Sequence, residues 1–296
     1  MIENFINSSK IEYYKDVSLK HYNTYKLDVL VNYLVFVNSK EELIKLVKFL
    51  KETKEKFLVL GNGSNVIFKN KVYDGVIIKL DKLNKYIIKD DRIEAEAGCS
   101  LIKLATSTAL IGLSGLEFAS GIPGEIGASV AMNAGAYTHS LSEVVESVEV
   151  LTPDNEIVTM TNSECSFGYR ESFFKHNHNY IIISCKCNLM VGEKKEILEL
   201  ISNRRIRRIK SQPLKYPSAG SVFRNPEGMY AGKLIEDCGL KGYKLGGAMV
   251  SLKHANFIVN FKNATGQDIV DLINKIRRLV KEKYNVELVL EQIIID

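Results

Sequence analysis

Residues 112–137 read GLSGLEFASGIPGEIGASVAMNAGAY, and no other stretch restricts the fold so strongly. Six glycines in 26 residues alternate with small side chains, charge is almost absent, and Ile122, Ile126, Val130 and Met132 are apolar. Flexible linkers share the glycine content but lack such aliphatic residues. A segment both glycine-rich and apolar is buried, its backbone pressed against something large and flat or against phosphates. A second glycine loop, Gly61-Asn62-Gly63-Ser64-Asn65, follows the apolar run FLVL (57–60). Its glycines would let amide donors approach a phosphate closely, and Asp81 lies 20 positions on. A dinucleotide fingerprint needs a third glycine where Val66 stands, and a helix where VIF reads as strand, so that reading fails. Alone, GNGSN is as well explained by a tight turn as by a phosphate cradle. Two such loops together suggest a cofactor with a diphosphate and an extended ring system.

The chain of 296 residues is long enough for two domains at roughly 150 residues each. Ser39-Lys40-Glu41-Glu42 is a capping box before an apolar stripe, predicting a helix over 40–53. FLVL, VIIK (76–79) and the segment around Ile93 read as strands. Ser100 is placed to cap a helix through Ala109, and 144–188 is rich in strands, with a turn at Pro153-Asp154-Asn155. A charged helix over 193–210, a short helix around Tyr230–Cys238 and a capped helix from Thr265 follow. VELVLEQIII reads as a closing strand. The texture changes near 195–212, where a larger αβ domain is expected to give way to a smaller one.

Hydrophobic residues make up 46% and charged residues 25%, the balance of a soluble globular protein. A net charge of +5 suits an anionic small molecule and falls short of a nucleic-acid-binding stripe. Of five cysteines, Cys185 and Cys187 share a strand face in IIISCKC and are expected to be buried together as thiols. The start, MIENFINSSK, lacks the pattern of a signal peptide, and no apolar run approaches the ~20 residues that span a bilayer. A cytoplasmic protein is expected.

Several residues stand out without declaring a role. Ser221 in YPSAGSVFRNP (216–226) suggests a nucleophile, yet no histidine is near and the hydrolase elbow is missing. Arg170 in FGYRES, taken by itself, reads better as a surface arginine paired with a nearby acid. RRIRRIK (204–210) is as much a solvated helix face as a substrate contact, and His176 and His178 lack a third metal ligand. Glu291 would share a strand face with Val289, Ile293 and Ile295. On such a face its carboxyl is expected to be buried, with a raised pKa and a proton at neutral pH.

Together, GNGSN, SGLEFASGIPGEIGASVAMNAGAY, FGYRESFFK, QPLKYPSAGSVFRNP and AGKLIEDCGLKGYKLGGAMVSLKHANFIVN resemble UDP-N-acetylenolpyruvoylglucosamine reductases, the MurB flavoenzymes of bacterial peptidoglycan synthesis. The likeness runs from Asn23-Thr24 to the C-terminus and is similar to the shorter subtype without an inserted tyrosine loop. It implies an α+β fold: a two-lobed FAD-binding domain of the vanillyl-alcohol-oxidase type, with lobes 1–85 and 86–195, and a substrate-binding domain over 196–296. Gly61, Asn62, Gly63, Ser64 and Asn65, with Ser120, Gly121, Ile122, Pro123, Gly124, Gly127 and Ala128, would hold FAD. NADPH would reduce the flavin and leave; hydride would then pass to UDP-N-acetylglucosamine enolpyruvate. Arg170 and Glu291 match the family's catalytic arginine and glutamate, and Ser221 its proton-donating serine. Tyr137 and Asn225 match positions close to the substrate, and Lys233 in AGKLIE would partner its anionic groups. No metal, nucleic acid, membrane or protein partner is implied.

The sequence departs from the family pattern in places. Gln292 and Ile293 follow Glu291 in place of the usual Val-Arg, Ala128 and Thr138 stand where glycines are common, and Asp28 replaces another. Two other readings compete: a flavoenzyme of the same cofactor fold acting on another small molecule, and a nucleotide-binding protein without catalysis. The motifs after residue 212 oppose the first; the joint presence of Arg170, Ser221 and Glu291 opposes the second.

Overall fold

The computed structural model describes residues 2–296. Its contacts divide the chain into two discontinuous units: residues 1–15, 33–61 and 75–206, and residues 16–32, 62–74 and 207–296. The division falls inside the strands Glu12–Ser18, Leu30–Phe36 and Val72–Lys79 and inside the helix Lys194–Ser211, where the chain passes from one unit to the other.

The first unit is organised around a five-stranded antiparallel sheet in the order Ile157–Thr161, Val145–Leu151, Ile181–Asn188, Arg92–Glu96, Tyr86–Lys89. Val148 and Val150 point one way from their strand, and Cys185 is opposite Val148. The sulfurs of Cys185 and Cys187 lie 3.6 Å apart, both thiols free and buried as alternation requires. The predicted turn closes the first hairpin: Asn155 is left-handed, and the Lys51 ammonium donates to the Pro153 carbonyl at 2.8 Å. Lys51 lies in the last turn of the helix Lys40–Glu52, whose N-terminus Ser39 caps as expected and whose Leu43, Leu46, Val47 and Leu50 are fully buried. Ser100 likewise caps Leu101–Leu110 by accepting from the Lys103 amide. The side chains of these helices and of the sheet form one continuous apolar core.

In the second unit, Lys244–Leu245, Ala248–Val250 and Ile258–Asn260 make a three-stranded antiparallel sheet. Gly266–Tyr284 is the best-formed helix: Thr265 and Asp268 make a reciprocal capping box, and Ile269, Ile273, Ile276 and Val280 are buried on its inner stripe. The shorter helix Ala231–Asp237 stops before Gly239, which adopts positive φ. The C-terminus differs from expectation. VELVLEQIII is not one strand; only Ile293–Ile295 pairs regularly, parallel to Val66–Phe68, and Leu290 makes one isolated bridge to Phe223. The edge of this segment is shared between two short partners, so no single ladder runs its length. No described helix is long and apolar enough to cross a membrane.

Candidate active site

In the first unit, the start of GNGSN meets the second glycine loop. A Cβ on Gly61 would come within 3.0 Å of the Ala128 Cβ and 3.4 Å of Glu125 Oε2, so a side chain there would push the two loops apart by a few tenths of an ångström. Beneath them lies Lys79, 2% exposed. Its ammonium donates to the Gly61 carbonyl at 2.7 Å, pairs with Asp81 at 2.9 Å and lies 3.8 Å from Glu125 Oε1. Glu125 is itself 6% exposed. Burial pushes its carboxyl up to about 7, against the opposing pull of Lys79 and with Asp81 adding to the rise. In the second unit, Gly63 needs its left-handed φ of 60° and its bare Cα, since a Cβ there would fall 2.4 Å from the Tyr22 carbonyl.

Arg170 occupies a tight turn between Gly168 and Glu171, themselves linked by two backbone bonds. Its φ of 57° is left-handed, a conformation that costs a non-glycine residue about 1 kcal/mol. Buried Asn133 donates to the Gly168 carbonyl at 2.7 Å, and the Lys175 ammonium donates to the carbonyl of Arg170 at 3.0 Å. The guanidinium donates from Nη2 to the Gly135 carbonyl at 2.6 Å. Gly135 opens the hairpin that presents Tyr137, so Arg170 and Tyr137 are brought together within this unit. Tyr137 and Thr138, at φ 56° and 70°, are left-handed too. The Tyr137 hydroxyl donates to the Arg204 carbonyl at 3.1 Å, and the Arg204 guanidinium stacks 4.8 Å from its ring.

Ser221 and Glu291 come together in the second unit through backbone pairing. The Glu291 amide donates to the Val222 carbonyl at 2.8 Å, and the Arg224 amide to the Val289 carbonyl at 2.9 Å, flanking the Phe223–Leu290 bridge. Asn256, 4% exposed, receives the Phe223 amide at 3.0 Å and donates to the Phe223 carbonyl at 2.8 Å. Gln292, 3% exposed, donates to the Ala219 carbonyl at 2.8 Å and accepts from the Tyr25 hydroxyl at 3.0 Å. Leu288 and Gln292 therefore face inward, while Val289 is 54% exposed and Glu291 half-buried. The apolar face expected around Glu291 is not formed: the strand is turned over relative to that reading, and with it goes the argument for a buried carboxyl. Asn225 caps the helix Ala231–Asp237 by accepting from the Ala231 amide at 3.1 Å. Lys233, exposed on that helix, pairs with Asp237 at 2.5 Å, which raises its pKa. Among the described residues no group of three metal-ligating side chains occurs, and His176 instead meets Glu171 at 2.9 Å in an exposed turn.

The comparisons with known proteins follow the same lines. Residues 31–161 match the FAD binding domain family, and residues 212–295 match the UDP-N-acetylenolpyruvoylglucosamine reductase C-terminal domain. A reductase of that name from Caldanaerobacter subterraneus subsp. tengcongensis is 44% identical over 94% of this chain and 92% of its own. One from Clostridium botulinum (strain Alaska E43) is 39% identical over 97% and 94%. The chain belongs to the UDP-N-acetylenolpyruvoylglucosamine reductase family. The crystal structure of the Thermus caldophilus member superposes with a TM-score of 0.82 at 34% identity, covering 97% of this chain and 99% of that one.

An FAD binding domain implies a bound flavin nucleotide, and the residues present fit one. Gly61 leaves no side chain between the two loops, and the buried Lys79 ammonium provides positive charge beneath them. Within the reductase family pattern, the structure also bears on one departure. At φ 70° Thr138 holds a β-branched side chain where the backbone favours glycine. Lys79, Asn133 and Asn256 did not stand out in the sequence, and Gln292 did so only as a departure from the family pattern. Lys79 did leave a signal, a lone cation ending the apolar run VII before a leucine; the amides of Asn133 and Asn256 left none, because the backbone groups they bond at Gly168 and Phe223 lie more than 30 positions away.

Proposed function

We propose that the chain catalyses the NADPH-dependent reduction of UDP-N-acetylglucosamine enolpyruvate to UDP-N-acetylmuramate, in the cytoplasmic synthesis of peptidoglycan precursors. The observation that carries this reading is the union on one chain of an FAD-binding match over 31–161 and the reductase-specific match over 212–295. An FAD-dependent enzyme acting on other substrates would account for the first match and not the second. Residues 61–65 and 120–124, with Gly127 and Ala128, would hold FAD, which when bound would supply hydride drawn from NADPH. By function, residues 1–85 and 86–195 form the two lobes around the cofactor and 196–296 the substrate domain, a division distinct from the two contact units.

The protein's own part is charge and proton placement. Hydride addition to an enolpyruvyl group drives negative charge onto its carboxylate. Arg170, its guanidinium steadied by the Gly135 carbonyl, counters that charge. Glu291, which matches the family's catalytic glutamate, is assigned to the same stabilisation of the developing charge. Ser221 Oγ delivers the proton to the carbon bearing the carboxylate; as an acid and not a nucleophile, it requires no histidine. Tyr137, Asn225 and Lys233 contact the substrate, and small molecules are the partners of this reaction.

Colour is the test. The purified protein should be yellow, anaerobic NADPH should bleach it, and the enolpyruvyl substrate should restore the colour in seconds where other acceptors do not. A protein that stays colourless when supplied with FAD would refute the reading.

A further inference from the structure

Lys79, Asp81 and Glu125 form a charged cluster at the junction of the two glycine loops. Lys79 binds the Gly61 carbonyl of one loop and faces Glu125 in the other. The groups that face Glu125 are Lys79, the last residue of the strand Val72–Lys79, Asp81 just beyond it, and the Cys99 thiol from the turn whose next residue, Ser100, bridges to Glu125. One ammonium thus stands against two carboxyl groups, at a place where a diphosphate would bring further negative charge. Ionised Glu125 would oppose that diphosphate from 6% exposure, with little water to screen it. A proton on Glu125 removes the conflict.

We propose that binding of the FAD diphosphate is linked to a proton on Glu125, with Lys79 as the positioning residue that ties Gly61 and Glu125 together beneath the two loops. The inference rests on the reading of these loops as the cofactor site. Burial already raises the Glu125 carboxyl to about 7 before any ligand arrives, and an added anion raises it further. The flavin-free protein is therefore partly ionised at Glu125 above neutral pH, while the flavin-bound protein keeps the proton. Affinity must then fall as pH rises through the flavin-free value, and hold steady below it.

The experiment is a flavin-fluorescence titration of the full-length chain, stripped of flavin, with FAD from pH 6 to pH 8. The FAD Kd should rise about tenfold across that range, the change expected for losing one required proton around pH 7. Glu125→Gln, which keeps the shape and cannot ionise, should bind with a Kd constant within about twofold and near the natural chain's value at pH 6. Lys79→Met should move the fall in affinity to higher pH, because Glu125 loses the cation that favours its charged form. Calorimetry of the natural chain in two buffers of different ionisation heat gives a reading independent of any variant: about one proton should be taken up per FAD at pH 8. A pH-independent Kd, no proton uptake, or a Glu125→Gln variant with an undiminished pH dependence would overturn the linkage while leaving FAD binding intact. A chain that takes up no FAD at any pH overturns the cofactor reading on which the inference stands.

Discussion

The Arg170 turn and the Ser221–Glu291 pairing achieve the same end by opposite means. Around Arg170 the backbone is bent into left-handed geometry at Asn133, Tyr137, Thr138 and Arg170, none of them glycine. Around Ser221 and Glu291 the only left-handed residue from 217 to 225 and from 286 to 292 is Gly220, and the two segments lie side by side as extended chain. Strain at the first place is held by side-chain bonds to carbonyls, from Asn133 to Gly168 and from Lys175 to Arg170. The short pairing at the second, one isolated bridge flanked by two backbone bonds, is pinned by the buried amides of Asn256 and Gln292. A catalytic side chain on strained backbone is fixed by whatever resists the strain, whereas one on a paired segment is fixed by the register. Both reach far along the chain: Asn133 and Gly168 lie 35 positions apart, Asn256 and Phe223 33 apart, and Gln292 and Ala219 73 apart.

The contrast can be broken most severely at its chemical end. Arg170→Met should lower kcat by about two to three orders of magnitude, the usual loss of one charge-stabilising donor, with flavin reduction by NADPH retained. Glu291→Ala should be more damaging than Glu291→Gln, which keeps a hydrogen-bond donor; steady-state kcat for the two variants checks this. Equal losses would show that Glu291 acts through its charge. Gln292→Leu tests the register: with the Tyr25 hydroxyl and the Ala219 carbonyl left without their partner, stability to urea should fall by about 1–3 kcal/mol. Activity should fall with it, since Ser221 follows Gly220 directly. The smallest effect is expected at the strained turn. Thr138→Gly should raise stability by up to about 1 kcal/mol in the same urea titration, by relieving a β-branched residue at φ 70°. A loss of stability there would mean that the threonine side chain contributes more than its backbone costs.

What the sequence made legible was local. The caps at Ser39, Ser100 and Thr265 lie beside the apolar stripes they start, so pattern and capping residue agree. The glycine loops were legible because glycine set among aliphatic residues marks backbone that something else approaches closely. The face of the last strand was not. Alternation in VELVLEQIII fits either face inward, and Gln292, the polar residue that is buried, takes its hydrogen bonds from residues 25 and 219. The grouping of 16–32 and 62–74 with 207–296 was equally hidden, because contacts between distant segments leave no periodic trace. The proposed catalytic residues, Arg170, Ser221 and Glu291, stood out through the family motifs around them; their own chemistry left each open to a plainer role.

The central claim is that Ser221 Oγ is the proton donor to the substrate and has no part in reducing the flavin. Anaerobic stopped-flow measurement of both half-reactions in Ser221→Ala tests it most directly. NADPH should bleach the flavin at close to the natural rate, while reoxidation by the enolpyruvyl substrate should slow by about two to four orders of magnitude, the range expected for loss of a general acid. Equal slowing of both half-reactions, or reoxidation at the natural rate, would contradict the assignment.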